Sequence, residues 1–181
     1  RMTATEVVDL LYQRELRARF GLALEDLDKV RGWVRDAGIH WGADAAHRAR
    51  FGRPERPEHS WRHGLDRVIV GLALEGDDQR SWAGLMPVPR LSGGAADTAG
   101  RFVHFAQTLL DHVTDLDRAR PLAQWSEALL ALLRDLFRAP TQPRDWLIQH
   151  VRRVVAELAE MTCTSAVALG ALREILAGRF S

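Results

Sequence analysis

His59 and His63 stand four residues apart with Asp66 three further on, a spacing that would line up divalent-metal ligands on one helix face. Asp44 and His47 beside Arg48 offer an acid, a base and a cation, and Cys163 with a histidine elsewhere would make a nucleophile and its base. Each set has a plainer reading. Ser60 lies between the two histidines, just ahead of an apolar run, where a serine is a helix cap. Asp44 likewise reads as the cap of a short turn with a solvated face, and a lone cysteine at the edge of an apolar helix is usually packing. The sequence has no GxxxxGK(S/T) phosphate loop, no GxGxxG after a strand and no HExxH. No catalytic residue, cofactor or metal site is expected, and the chain alone is expected to lack ATPase activity.

Nucleic acid is the other chemistry to weigh. Of 25 basic residues only Lys29 is a lysine, so 24 side chains carry the planar guanidinium that suits phosphates and carboxylates. From His40 to Arg67 there are six arginines, at 48, 50, 53, 56, 62 and 67, against Asp44, Glu55, Glu58 and Asp66. The local excess is two charges on a chain of net charge +1. Any DNA contact is therefore expected to be local and weak, with Arg48, Arg50 and Arg53 the preferred contacts because their loop reads as exposed. Ion pairing of these arginines with the neighbouring acids is the competing reading. The tryptophans Trp33, Trp41, Trp61, Trp82, Trp125 and Trp146 are spread along the chain. A base-stacking platform needs aromatics gathered on one basic face, so core and hinge packing is the better account of most of them.

The elements that must position these residues are helices. Thr3 and Glu6 have capping-box spacing. Leu27, Val30, Val34 and Ala37 form an apolar stripe that ends at Gly38, and a short helix is expected after Asp44. Ser60 and Gly76 bracket a helix whose buried side is expected to be Trp61, Leu65, Val68, Ile69 and Leu72. Asp97 is expected to cap a third long helix with the stripe Phe102, Phe105, Leu109, Val113 and Leu116. Pro121 opens a fourth through Trp125 and Leu136. Leu147, Val151, Val154, Val155 and Leu158 mark a fifth, and Thr164 or Ser165 introduces a sixth through Leu172 and Ile175. No segment alternates with period two, so the fold is read as all-α. It is expected to be a single helical domain over 1–181, or two subdomains, 1–76 and 97–181, joined by the loop 77–96.

Within the stretch "HSWRHGLDRVIVGLALEG", Arg62, Asp66 and Arg67 are the polar side. Asp66 and Arg67 diverge by about 100° on a helix, so each is expected to pair with the arginine-rich loop 48–56 instead of with the other. Gly64 and Gly71, seven apart, lie near one face and allow a close neighbour. The motif is thus expected to lock the 38–59 segment onto its helix.

At 46% hydrophobic and 27% charged, the composition is that of an ordinary globular domain. One cysteine allows no intramolecular disulfide, and the amino terminus lacks the apolar run of a signal peptide, so a cytoplasmic setting is expected. The longest uncharged stretch, "MTCTSAVALGAL", has 12 residues against the roughly 20 that cross a bilayer. No membrane association is expected.

At "WVRDAGIHWGADAAHR" followed by "SWRHGLDRVIVG" the residues become specific, and the pairing resembles RecC, the gamma subunit family of the bacterial RecBCD enzyme (exodeoxyribonuclease V). "RARFGL" upstream, with Phe20, Gly21 and Leu22, and "RPLAQW" downstream, ending in Trp125, extend the resemblance over much of residues 5–140. The structural motif residues are Trp33, Trp41, Trp61, Gly64, Asp66 and Arg67. The family pattern prefers arginine at His40, leucine at Ala43 and an aromatic residue at His63. Because complete RecC chains are several times longer, the resemblance implies an excised internal domain. It further implies a helical accessory domain of 2B type within an inactivated superfamily 1 helicase-like core. The domain itself would be inactive inside an ATP-dependent exodeoxyribonuclease that acts in DNA repair and recombination. The implied partners are RecB-like and RecD-like motor subunits and double- or single-stranded DNA, bound weakly by the domain alone. A stand-alone helical ligand-binding or regulatory domain is the alternative.

Overall fold

The computed structural model describes residues 2–74, 81–89, 91, 94–138, 146–161 and 163–180. Among them the chain is helical, with α1 Ala4–Leu10, α2 Arg14–Arg19, α3 Leu27–Asp36, α4 Ala45–Ala49, α5 Trp61–Ala73, α6 Gly94–Leu116, α7 Leu122–Leu136, α8 Trp146–Glu157 and α9 Leu169–Phe180. No strand occurs among the described residues; extended pairing is limited to single bridges, Thr3 with Trp41, Trp82 with Leu85 and Arg120 with Val167.

Local sequence explains most helix ends. The Thr3 hydroxyl accepts from the Glu6 amide while the Glu6 carboxylate accepts from the Thr3 amide, so two orphan donors of α1 are satisfied reciprocally. Gly38 follows α3 at φ +67°, a left-handed position that glycine takes without strain. The Asp44 carboxylate accepts from the His47 amide at 2.8 Å and caps α4, and Ser60 caps α5.

Three expectations are corrected. α6 starts at Gly94, so Asp97 sits inside its first turn, where it pairs with Arg101 at 2.8 Å. α9 starts at Leu169, not at Thr164 or Ser165, because Val167 is held in extended pairing with Arg120. On α5, Ile69 is exposed while Val70 and Gly71 are buried, so the apolar face is turned from the expected one. Gly76, the expected stop of α5, lies outside the described residues.

The chain forms two compact units, Arg1–Leu110 and Asp111–Ser181, and the division falls inside α6. The first turns of α6 belong with the amino-terminal unit for a packing reason. Phe102 is fully buried with its ring 6.5 Å from Trp33 and 6.4 Å from Trp61, and Phe105 lies 5.4 Å from Phe20. In the second unit Leu122, Trp125, Leu158 and Leu172 form the core, and Cys163 packs against it. Trp82 and Trp146 are 62% and 64% exposed, which sets these two apart from the packing tryptophans.

Candidate functional site

The motif around Trp61 is built by main-chain bonds between the start of α5 and the segment before it. The Trp61 amide donates to the Gly42 carbonyl and the Arg62 amide to that of Ala43, both at 2.9 Å. The Trp61 indole, fully buried, donates to the Met2 carbonyl at 3.1 Å. Ser60 is buried; its hydroxyl accepts from the His63 amide and donates to the Pro57 carbonyl at 2.6 Å.

His59 does not share a helix face with His63. Its backbone sits at φ +65°, outside α5, and its Nδ1 donates to the Gly38 carbonyl at 2.9 Å. The ring stacks on His40 with centroids 4.5 Å apart and 6° between planes. No group of three or more metal-binding side chains occurs among the described residues. The Asp44 carboxylate is likewise engaged: besides capping α4 it lies 3.5 Å from Arg62 Nε.

Arg67 is not paired with the 48–56 loop. Its Nε donates to the Met86 carbonyl at 2.7 Å and a terminal nitrogen donates to the Ala37 carbonyl at 2.8 Å. One side chain therefore ties the end of α3 to α5 and to the segment 86–88, where the Val88 amide donates to the Arg67 carbonyl. Asp66 is exposed.

The glycines explain how close these segments come. A Cβ placed on Gly64 would lie 2.1 Å from Ile39 Cγ1, and one on Gly71 would lie 2.3 Å from the Val88 carbonyl oxygen. Gly64→Ala is expected to cost about 1 to 3 kcal/mol, because the buried Ile39 side chain must shift to admit the methyl group. Gly71→Ala should cost more, since its obstacle is backbone. Urea melts of the two variants test the order, and equal midpoints to the parent chain would refute close packing at α5.

The three arginines of the loop are placed differently. Arg48 is half-buried: its guanidinium donates to the Glu58 carbonyl at 2.5 Å and to that of Arg56 at 3.3 Å, and lies 5.3 Å from the centre of the Trp41 ring. Its stem occupies the space that a Cβ on Gly42 would fill. Arg50 and Arg53 are exposed. Arg48 lies on α4 and not on an open loop, and its guanidinium braces the carbonyls of Arg56 and Glu58 from there. Sequence reasoning missed Ile39, Met86 and Val88 as partners of α5; the seven-residue spacing of the glycines was the available signal.

Among the described residues this is an all-helical domain in which Asp44, His59, Ser60 and Arg67 hold its own segments together. The description that matches it, over residues 1–181, is the fourth domain of the RecBCD enzyme subunit RecC, and the chain belongs to that family. It is 37% identical over 170 residues to the RecBCD enzyme subunit RecC of Mycolicibacterium smegmatis, covering 93% of this chain and 15% of that protein. The RecC subunits of Mycobacterium tuberculosis strain H37Rv and Escherichia coli strain K12 are 33% and 32% identical over 98% and 99% of the chain. The chain spans 16% of the length of each of these two relatives. No helix among the described residues is long and apolar enough to cross a membrane.

Proposed function

We propose that the chain works as a non-catalytic domain of a RecC-like subunit in double-strand break repair and recombination. It would be the 2B-type accessory domain of an inactivated helicase-like core, packing beside the motor-like part and adding surface for subunit or DNA contact. Its partners on this reading are RecB-like and RecD-like subunits and DNA, in a cytoplasmic complex. The observation that carries the reading is the family match along all of residues 1–181. The internal engagement of Asp44, His59 and Arg67 supports a packing role over a catalytic one.

Purified alone, the chain is expected to show no ATPase, helicase or nuclease activity with or without magnesium, since the sequence has no phosphate loop to hold a nucleotide and the described residues include no cluster of side chains to hold a metal ion. A magnesium-dependent nuclease that survives repurification and is abolished by changing His59 or Asp66 would overturn the assignment. For DNA, Arg50 and Arg53 are the stronger contacts of the three and Arg48 supports their loop. Two or three phosphate contacts give a log affinity falling against log salt with a slope of roughly −2 to −3. A low-salt titration with labelled duplex is expected to weaken when Arg50 and Arg53 become alanine. Undetectable binding, or binding indifferent to those changes, would leave subunit packing as the role.

A further inference from the structure

Residues 81–89, SWAGLMPVP, carry no charged side chain and turn back tightly on themselves. The Trp82 amide donates to the Leu85 carbonyl at 3.0 Å and the Leu85 amide to that of Trp82 at 2.9 Å, while Ala83 and Gly84 between them sit at φ +50° and +81°. Two left-handed residues in succession make a hairpin turn whose twist matches the paired residues on either side. Gly84 adopts that conformation freely, whereas the Cβ of Ala83 makes it strained. The stem of the turn is fixed to α5: the Arg67 side chain donates to the Met86 carbonyl, and the Val88 amide donates to the Arg67 carbonyl at 3.1 Å. Val88 is itself buried, and its carbonyl oxygen would lie 2.3 Å from a Cβ on Gly71. On this anchored turn Trp82 is 62% exposed and Met86 48% exposed.

We propose that Trp82 is a knob that docks this domain onto the remainder of a RecC-like polypeptide, its ring entering an apolar pocket that also offers an acceptor to the indole N–H. A strained turn with an exposed tryptophan adds nothing to the core of its own unit, so its rigidity serves a contact outside it. Holding the ring in place beforehand removes part of the ordering cost of binding. The chemistry of the partner follows from what the turn lacks. With no charge on 81–89, and with the Arg67 guanidinium engaged by the Met86 and Ala37 carbonyls, a nucleic-acid strand finds no cation there for its phosphates. An uncharged tip with a large aromatic anchor suits instead a lasting, apolar protein contact. This chain spans 15% and 16% of the RecC relatives from Mycolicibacterium smegmatis and Mycobacterium tuberculosis, so most of such a subunit lies outside it, tethered at high effective concentration. That remainder is therefore the occupant, ahead of a second copy or another subunit. The inference rests on the proposed role as a domain of a RecC-like subunit.

The test grafts this chain in place of the matching segment of Mycolicibacterium smegmatis RecC and compares the chain alone, the chimeric subunit, and that subunit assembled with RecB and RecD. Hydroxyl-radical oxidation of each tryptophan, read by mass spectrometry, reports exposure, and the fully buried Trp61 is the internal reference. In the chain alone Trp82 should react much faster than Trp61. In the chimeric subunit its rate is expected to fall by about fivefold or more, as for an anchor shut into a desolvated pocket, with little further change on assembly. Trp82→Ala should leave the thermal midpoint of the chain alone within about 2 °C of the parent, the range of an exposed substitution, yet lower that of the chimeric subunit. The proposal is overturned if Trp82 stays reactive in a soluble chimeric subunit, the fourth-domain reading then still standing. It is also overturned if protection arrives only with RecB and RecD, which makes another subunit the occupant, or grows with concentration in the chain alone, which makes it a second copy. A Trp82→Ala chain that melts well below its parent overturns it without any graft, since the ring then serves its own domain. A chimera that never becomes soluble while the parent RecC does defeats the fourth-domain reading, and the inference falls with it.

Discussion

Trp61→Ala is expected to lower the stability of the chain by about 3 to 5 kcal/mol, the range for deleting a fully buried large aromatic side chain. The ring has no solvent exposure and faces Phe102 at 6.4 Å, so its removal leaves a hole that neighbouring helices cannot readily fill. The variant also leaves the Met2 carbonyl without its indole donor, although the Gly42 amide still reaches that oxygen at 3.1 Å. Trp61→Phe separates the two effects. It keeps most of the volume and should cost nearer 1 kcal/mol for the lost hydrogen bond, plus whatever the smaller ring fails to fill. Urea unfolding followed by circular dichroism measures both. A midpoint that hardly moves for Trp61→Ala would show that the motif does not lock the 38–59 segment onto α5.

What the sequence made legible here was local. The Thr3 capping box, the caps at Asp44 and Ser60 and the stop at Gly38 depend on residues within a turn of each other, so spacing reveals them. Gly64 and Gly71 were readable as a close-approach face, but not what approaches, because Ile39 and the Val88 carbonyl are 25 and 17 residues away in sequence. The partners of Arg67 are hidden from the sequence for a related reason. They are the carbonyls of Ala37 and Met86, and a carbonyl leaves no mark in a sequence, whereas the acids and arginines of 48–56 are conspicuous. By sequence Arg48 is one more cation of an arginine-rich loop, yet it lies on α4. It turns inward because Gly42, at φ +84°, leaves room for its stem, and two carbonyls and the Trp41 ring receive its head. The start of α9 escaped because Ser165 is a plausible cap taken alone. The pairing of Val167 with Arg120, 47 residues earlier, overrides it. Exposure of Trp82 and Trp146 is likewise a tertiary outcome that neither composition nor period encodes.

In the second unit, Trp125→Ala is expected to have an effect of the same size, about 3 to 5 kcal/mol, for a different set of reasons. Trp125 is fully buried among Leu122, Leu158 and Leu172, so it ties α7 to the end of α8 and to α9. Its indole donates to the Val167 carbonyl at 2.7 Å, and that oxygen also accepts from the Arg120 amide, so one tryptophan fixes the extended residues that lead into α9. Above the ring, 4.9 Å from its centre, lies the Arg120 guanidinium, which a terminal nitrogen binds at 2.9 Å to the Asp115 carboxylate. That hydrogen bond holds the Asp115 carboxyl below the usual carboxylate range. Loss of the ring therefore opens the core and frees Arg120 from the surface that positions it. Trp125→Phe should retain much of the packing while losing the indole donor, at a cost of roughly 0.5 to 1.5 kcal/mol for the hydrogen bond alone. Arg120→Ala, which removes the cation and leaves the ring in place, should cost less than Trp125→Ala. Chemical melts of the three variants rank them, and a Trp125→Ala chain as stable as Arg120→Ala would mean that the polar cap, not the buried ring, holds α7, α8 and α9 together.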